Sequence, residues 1–581
     1  MSCQPPFGYN KSDGGFAMNG KWWKNSVVYQ IYPKTFKDGN GDGTGDLKGI
    51  TEKLDYIKNL GVDAIWLSPV FDSPGMDNGY DVSDYRRINP IFGSMEDFEN
   101  LVEGIHGRGM KIILDMVANH TSDKHRWFEE SKKSRDNPYS DYYIWRDGKN
   151  GSPPNNWGAI FGGSAWTYYP EREQYCFNLF SPYQPDLNWK NEKVRREMKE
   201  AMLFWLEKGV DGFRLDAIGY IVKPDEFTDG IPCEEGFAFP ETANLEPIHE
   251  YLQELRKEVF DKYDLLVMGE NSFTTVEEAA KYAPIDGSEL DMMIAFDHVD
   301  LDCKNGKWNC DKISIPELNE TFADRQTGTH GKAWNTLYWC NHDQPRVVSR
   351  LGSEKADYRE RSAKMIAVNL HFMQGTPLVY QGEELGMTNM KFTSREQLND
   401  IESLHAFDML VKTGASEEKA FTFLNCKSRD NARTVMQWNL QKNAGFTSGK
   451  TEITVNPNYT EINAGEQEGR EDSVYNFYRR LIALRKEKSV ITDGVFKALE
   501  SDIRVIAYVR ENEEEKLLVA CNFSRNKAEF DYSSHINPEE TVISNCYGSE
   551  YLKSKLLAPY EAIVLSEKKD NSLKERKGYK L

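Results

Sequence analysis

The chain has 581 residues, 39% hydrophobic, 28% charged and 12% aromatic, the balance of a folded protein with a sizeable core, which excludes disorder, collagen and coiled coil. Its 72 basic against 92 acidic side chains leave a formal charge of −20, so a phosphate backbone would meet net repulsion and nucleic acid is not an expected partner. No run approaches the ~18 apolar residues of a membrane span, the start MSCQPPFGYNKSDGGFAMNG lacks the apolar core of a signal peptide, and the nine cysteines are scattered without a C-x-x-C; the expectation is a cytoplasmic chain with no membrane contact and reduced, mostly buried thiols.

In chain order, short β-branched runs alternate with amphipathic segments. Strands are predicted at VVYQIYP (from Val27), AIWLSPV (Ala64), KIILDMVANH (Lys111), DGFRLDAI (Asp211), LLVMGEN (Leu265), LDMMIAFDH (Leu290), NTLYWCNHD (Asn335) and TPLVYQGEELG (Thr376). Between them lie helical patterns such as SMEDFENLVEGIHGRG and NEKVRREMKEAMLFWLEKG, several stopped by glycine. Eight parallel βα units close into a (β/α)8 TIM barrel, an α/β fold. The stretch from Thr121 to Asn188, rich in Pro, Gly, Asn and Trp, reads as a lid domain inserted after strand 3. A second excursion runs from about Asn389 to Thr460. From about Val490 strand-like runs without helices predict a C-terminal antiparallel β-sandwich, and residues after Glu567 read as a charged tail. The expected division is barrel 1–120 and 189–489, lid 121–188 and sandwich 490–581.

Barrel enzymes carry catalytic groups at the C-terminal ends of their strands. Here those ends are acidic: Asp115, Asn119 and His120 follow the third strand, Arg214 and Asp216 the fourth, Glu270 the fifth, and His342 and Asp343 the seventh. Three carboxylates converging on one mouth suit glycoside cleavage, in which one attacks and one protonates the leaving oxygen. Arg214, two residues before Asp216 on the same strand face, is expected to keep that aspartate ionised. Glu270, near acidic neighbours, then retains the proton of the general acid.

With these residues in view, the chain resembles the α-amylase superfamily of glycoside hydrolases, in its oligo-1,6-glucosidase and α-glucosidase branch. The resemblance runs from Trp22 to Glu567 and rests on DMVANH (115–120), QPDLNW (184–189), GFRLDA (212–217), GEN (269–271) and NHDQPR (341–346). It implies a retaining mechanism with Asp216 as nucleophile, Glu270 as acid/base and Asp343 as transition-state stabiliser. It also implies that Arg214, His120 and His342 line the terminal glucose site, and that Asp77, Tyr80 and Arg433 hold the non-reducing sugar. Where the family usually has RTPMQW, this chain has RTVMQW, with Val435 in place of proline.

The segment from Asp38 to Asp46 alternates oxygen ligands with glycines, as the start of an EF-hand loop does, but Gly49 stands at the twelfth position in place of a bidentate Glu. The resemblance implies a structural calcium, with magnesium as the alternative ion, on Asp38, Asn40, Asp42, Asp46 and the Thr44 carbonyl.

Ala217 follows the nucleophile where α-1,6-acting members usually carry valine, so the resemblance favours short α-1,4-linked oligosaccharides over α-1,6-linked ones. A trehalose-6-phosphate hydrolase is the rival, given GSELDM and AWNTLYWCNHDQPRVVSRLG; it needs cations to pair a phosphate, and no dedicated Lys/Arg cluster is evident in the lid. Sucrose isomerases carry an arginine-rich loop where this chain has HVDLDCKNGKW. Non-catalytic relatives that partner transporters have lost the acids present here. Oligomeric state leaves no trace in the sequence.

Overall fold

The computed structural model describes residues 21–232 and 236–569; the first twenty residues read above and the last twelve residues of the charged tail lie outside the described residues. Eight strands, β1 (Val28–Ile31), β2 (Ala64–Leu67), β3 (Lys111–Val117), β4 (Gly212–Asp216), β5 (Leu266–Glu270), β6 (Met292–Ile294), β7 (Thr336–Leu337) and β8 (Thr376–Tyr380), form one sheet in the order β6-β5-β4-β3-β2-β1-β8-β7. Every neighbouring pair is parallel, and a parallel bridge between Met293 and Asn335 joins β6 to β7 and closes the barrel.

Because both faces of a closed parallel sheet are covered, these strands are apolar nearly throughout, yet their side chains still alternate. Val28, Ala64, Trp66, Ile113, Leu266, Met268 and Leu378 form the inner cluster, while Tyr29, Ile65, Ile112, Leu114 and Val267 pack in the layer beneath the helices. The helices start where their caps dictate. Ser94 and Asp97 form a reciprocal capping box for α1 (Met95–Gly107), and Asn191 caps α2 (Glu192–Glu207). On α2, Trp205 is fully buried against Phe71 and Phe98, with its indole N–H on the Tyr85 carbonyl at 2.7 Å. Truncating such a side chain costs about 3–5 kcal/mol.

Between β3 and α2 the lid forms a three-stranded antiparallel sheet from Trp145–Arg146, Gln174–Phe177 and Trp166–Tyr169. Its aromatic core of Trp157, Trp166 and Phe177 packs with Ala217, Tyr220 and Phe227 of the segment after β4, so the lid is seated on the end of that strand. After β8, α3 (Ile401–Lys412) and α4 (Glu417–Lys427) pack through Phe407, Phe421 and Leu424. Cys426 on α4 forms a disulfide with Cys310 of the loop after β6, Cα to Cα 5.8 Å. This corrects the expectation of uniformly reduced thiols: the partners are 116 residues apart, so only the barrel's closure brings them together.

The C-terminal strands β9 (Val495–Ala498), β10 (Val505–Glu511), β11 (Glu515–Asn522), β12 (Glu540–Ser544) and β13 (Ala562–Lys568) make an antiparallel sheet in the order β9-β10-β11-β13-β12. One face meets the barrel, with Tyr508 donating to the Asn369 carbonyl at 2.7 Å. The other covers Phe530, Tyr551 and Leu557 beside a two-stranded sheet, Ala528–Glu529 with Leu556–Leu557, so the second layer of the sandwich is small.

Candidate active site

The loop after β2 is pinned as a hairpin by Phe71–Asp72 against Asp84–Ile88. Inside it, Asp81 accepts from the amides of Met76 and Asp77 at 2.9 and 3.0 Å, which turns Asp77 and Tyr80 toward the barrel axis. From the lid, Gln184 reaches both Asp77 (2.8 Å) and His120 (3.2 Å), and Asp186 is held by Asn119 (2.9 Å) and Lys223 (2.8 Å). Together with the ends of β4 and β5 and the loop after β7, these elements enclose a cavity of about 240 Å³ lined by Asp77, Tyr80, His120, Asp216, Ala217, Glu270 and Asp343.

Below it lies Arg214, fully buried. One guanidinium nitrogen meets Asp115 at 2.7 Å and Asp216 at 2.5 Å, and the other meets Glu270 at 2.5 Å. One cation thus faces three carboxyl groups in a buried site. Burial pushes Asp216 up to about 7, with Arg214 opposing and Asp115 and Asp343 adding to the rise. It pushes Asp115 up to about 6 against Arg214. Glu270 is also raised, by burial first, Arg214 opposing and Asp216 and Asp343 adding. Arg214 therefore does not by itself keep Asp216 ionised, as the strand spacing had suggested; desolvation outweighs it, and the trio retains a proton near neutrality.

Asp343 is the opposite case. Burial disfavours its charge, but His342, Arg429 and Arg433 hold its carboxyl well below the usual range. The Gln30 amide lies 2.9 Å from His342 Nδ1. That amide nitrogen can only donate, so the ring proton belongs on Nε2, which faces Asp343 at 3.0 Å and the Tyr80 hydroxyl at 2.6 Å. Tyr80 donates onward to Asp115 at 3.0 Å, and its ring stacks on His342 at 5.2 Å. One face of Tyr80 is thus already taken. His120 is pushed down to about 3 by burial and Lys223, so it is neutral. Asp77 is pushed up to about 7 by burial, against Arg429 and Arg433.

Residues 30–494 match the model of the alpha amylase catalytic domain. The chain belongs to the α-amylase family of glycoside hydrolases. It is 48% identical to an oligo-1,6-glucosidase of Bacillus cereus over 95% of this chain and 100% of that one. It is 45% identical to an alpha-glucosidase of Pediococcus pentosaceus over 94% and 98%. Among solved structures it is similar to trehalose-6-phosphate hydrolase of Bacillus licheniformis, with a TM-score of 0.89, 46% identity and coverage of 95% and 100%.

Within this family framework, the two arginines of RDNARTVMQW divide the work. Arg433 reaches Asp343 (2.8 Å), Asp400 (3.0 Å) and the His342 carbonyl (2.9 Å), and lies behind the lining. The arginine that lines the cavity is Arg429, which the sequence reading passed over. It contacts Asp343 at 3.0 Å, Asp400 at 2.5 Å and Asp77 at 3.5 Å. Its signal was present, since the two share one motif at a spacing of four. Val435 is buried and its N–H donates to the Thr454 carbonyl at 3.1 Å, a bond a proline there would lack.

Sequence reasoning also missed the outer wall, where Asp300, Cys303 and Lys307 after β6, Gln344 and Arg350 after β7, and Glu402 and Lys427 of the insert line the cavity. Its cations are paired: Lys307 with Glu402 at 2.6 Å, Arg350 with Asp302 at 2.8 Å, and Lys427 with Asp302 at 2.6 Å. No short motif marks these residues, because three separate segments, after β6, β7 and β8, supply them.

In the Asp38–Asp46 loop the carboxylates are engaged by backbone. Asp38 accepts from the Gly41 and Gly43 amides at 2.6 and 2.8 Å, and Asp46 accepts from Asn40 at 3.0 Å and caps the next helix through Gly49 at 2.6 Å. Asp42 is exposed and accepts from the Thr44 amide at 2.8 Å. As placed, the predicted donors form a set of Asx turns; among the described residues no group of three or more His, Cys, Asp or Glu is arranged to hold a metal ion. No helix among the described residues is long and apolar enough to cross a membrane.

Proposed function

We propose that the chain is a retaining, exo-acting α-glucosidase that removes terminal non-reducing glucose from short oligosaccharides, favouring α-1,4 over α-1,6 links. The observation that carries this reading is the shared grip of Arg214 on Asp216 and Glu270. Sharing one guanidinium keeps the two carboxyl groups near each other, which supports the ~5–5.5 Å spacing of retaining enzymes over the ~6.5–9.5 Å spacing that leaves room for an attacking water. Asp216 attacks the anomeric carbon while Glu270 protonates the departing oxygen; water then cleaves the glucosyl ester with Glu270 as base. Asp343, ionised, stabilises the cationic transition state. Exo action is supported by the cluster of Arg429 with Asp77 and Asp343, which gathers hydroxyl-binding groups for a terminal sugar in the cavity lining. The α-1,4 preference is supported by the small side chain of Ala217 in the lining.

Trehalose-6-phosphate is the second reading. A phosphate group carries about −1.5 to −2 charges and needs unpaired cations, whereas Lys307, Arg350 and Lys427 are already matched by Glu402 and Asp302. That pairing supports a neutral leaving sugar. A cytoplasmic site of action and a structural calcium on the Asp38–Asp46 loop belong to the same proposal. The ion is supported by hard oxygen donors alternating with glycine, and binding it would require Asn40 and Asp42, both exposed, to swing toward Asp38 and Asp46.

The test is incubation with maltose, isomaltose, sucrose, trehalose and trehalose-6-phosphate, with proton NMR of the first product. Release of α-glucose, fastest from maltose, is expected. Turnover confined to trehalose-6-phosphate overturns the substrate, and initial β-glucose overturns the retaining mechanism.

A further inference from the structure

A line of aromatic rings begins in the cavity and continues past its rim. Phe180 and Tyr220 line the cavity, with ring centroids 6.3 Å apart and edge to face. Tyr220 meets Phe273 at 6.5 Å, and Phe273 meets Phe239 at 5.8 Å, both again edge to face. Tyr220 is buried, but Phe273 and Phe239 are 48% and 50% exposed. Large exposed apolar rings grouped on a surface mark contact sites.

Both outer rings sit on anchored backbone. The Phe273 amide donates to Asn271 at 3.3 Å and its carbonyl accepts from Asn244 at 3.0 Å. Ala238, next to Phe239, is tied to the lid through its amide on the Asn156 carbonyl and its carbonyl on the Gly158 amide, each at 2.9 Å. Phe273 follows Glu270 by three residues, so the rings adjoin the carboxyl group that meets the leaving oxygen in the reading above.

We propose that Phe273 and Phe239 form an extension of the binding site that takes the third and later rings of a linear α-gluco-oligosaccharide. The inference rests on the α-glucosidase reading above. The face of an aromatic ring is electron-rich and suits the C–H face of a glucose unit, whereas it offers nothing to a phosphate. An aromatic ring is also rigid, so little conformational freedom is lost when a sugar stacks on it. Continuity with the cavity argues for a sugar chain over a second protein as occupant.

The experiment compares kcat/KM for maltose, maltotriose and maltotetraose in the full chain and in Phe239→Ala, Phe273→Ala and the double variant, with the sedimentation coefficient of each. The parent is expected to prefer the longer substrates. In the double variant the ratio of maltotriose to maltose should fall roughly tenfold through KM, with kcat on maltotriose maintained, and Phe273→Trp should restore it. A parent indifferent to length, an equal loss on every substrate, or a change of oligomeric state on removing the rings overturns the proposal. Hydrolysis of maltose without a length effect overturns the extension alone, while failure to hydrolyse any α-glucoside overturns the parent reading as well.

Discussion

Ala217→Val puts the linkage gate to the test. Ala217 lines the cavity one residue past Asp216, its amide donates to Glu270 at 3.3 Å, and its φ is 48°. Valine adds two methyl groups, with two consequences of different kinds. A methylene-sized change in a substrate pocket shifts discrimination by about 1–3 kcal/mol, so the ratio of kcat/KM for isomaltose over maltose should rise at least tenfold. A β-branched residue at positive φ is also strained, at roughly 1–3 kcal/mol, and that cost falls on both substrates and on stability. The melting temperature should therefore drop by a few degrees. Ala217→Gly separates the two, because it relieves the positive φ without filling space: it should not raise the isomaltose ratio. The measurements are kcat/KM on both disaccharides and a thermal melt of each variant. If valine lowers both rates equally and leaves the ratio unchanged, strain is the whole effect and Ala217 is not the gate.

Arg429→Ala removes a cation shared by Asp77, Asp343 and Asp400. Breaking a buried pair costs about 3–5 kcal/mol, so kcat/KM should fall by two or more powers of ten and melting should shift downward; near-normal kinetics would show that Arg433 alone suffices. The pH profile of kcat/KM should be a bell. The acid limb is expected as the pH falls through the raised value of Asp216, about 7, where the proposed nucleophile takes up a proton, and the basic limb as Glu270, raised by burial, releases its own. Asp115→Asn removes one of the charges that raise Asp216, so the acid limb should move to lower pH; an unmoved limb would detach it from Asp216. Chelation with EDTA should lower the melting temperature while leaving activity near 25 °C largely intact, since ligand binding at a hundredfold excess over Kd contributes about 2.7 kcal/mol. An unchanged melt together with no calcium or magnesium by elemental analysis would make the loop a turn only, and loss of turnover in still-folded protein would put the ion nearer the chemistry.

The sequence by itself determined the barrel and the acids at its mouth. A parallel barrel needs buried strands followed by amphipathic helices, and both leave local periodicities, while Asp216, Glu270 and Asp343 sit at strand ends or just beyond them, where fold and chemistry coincide. Tertiary structure decided the rest, because it depends on groups far apart in the chain. The Asp216 carboxyl is raised because desolvation in the closed barrel outweighs the Arg214 charge two residues away, and burial has no local signature. Arg429 rather than Arg433 faces the cavity because Asp400 and Asp343 orient both guanidiniums. Cys310 meets Cys426, and Lys307 meets Glu402, only because the loops after β6 and β8 lean together over the mouth. The same holds for Phe239 and Phe273, which are two unremarkable aromatics in the sequence and adjoining rings in the fold.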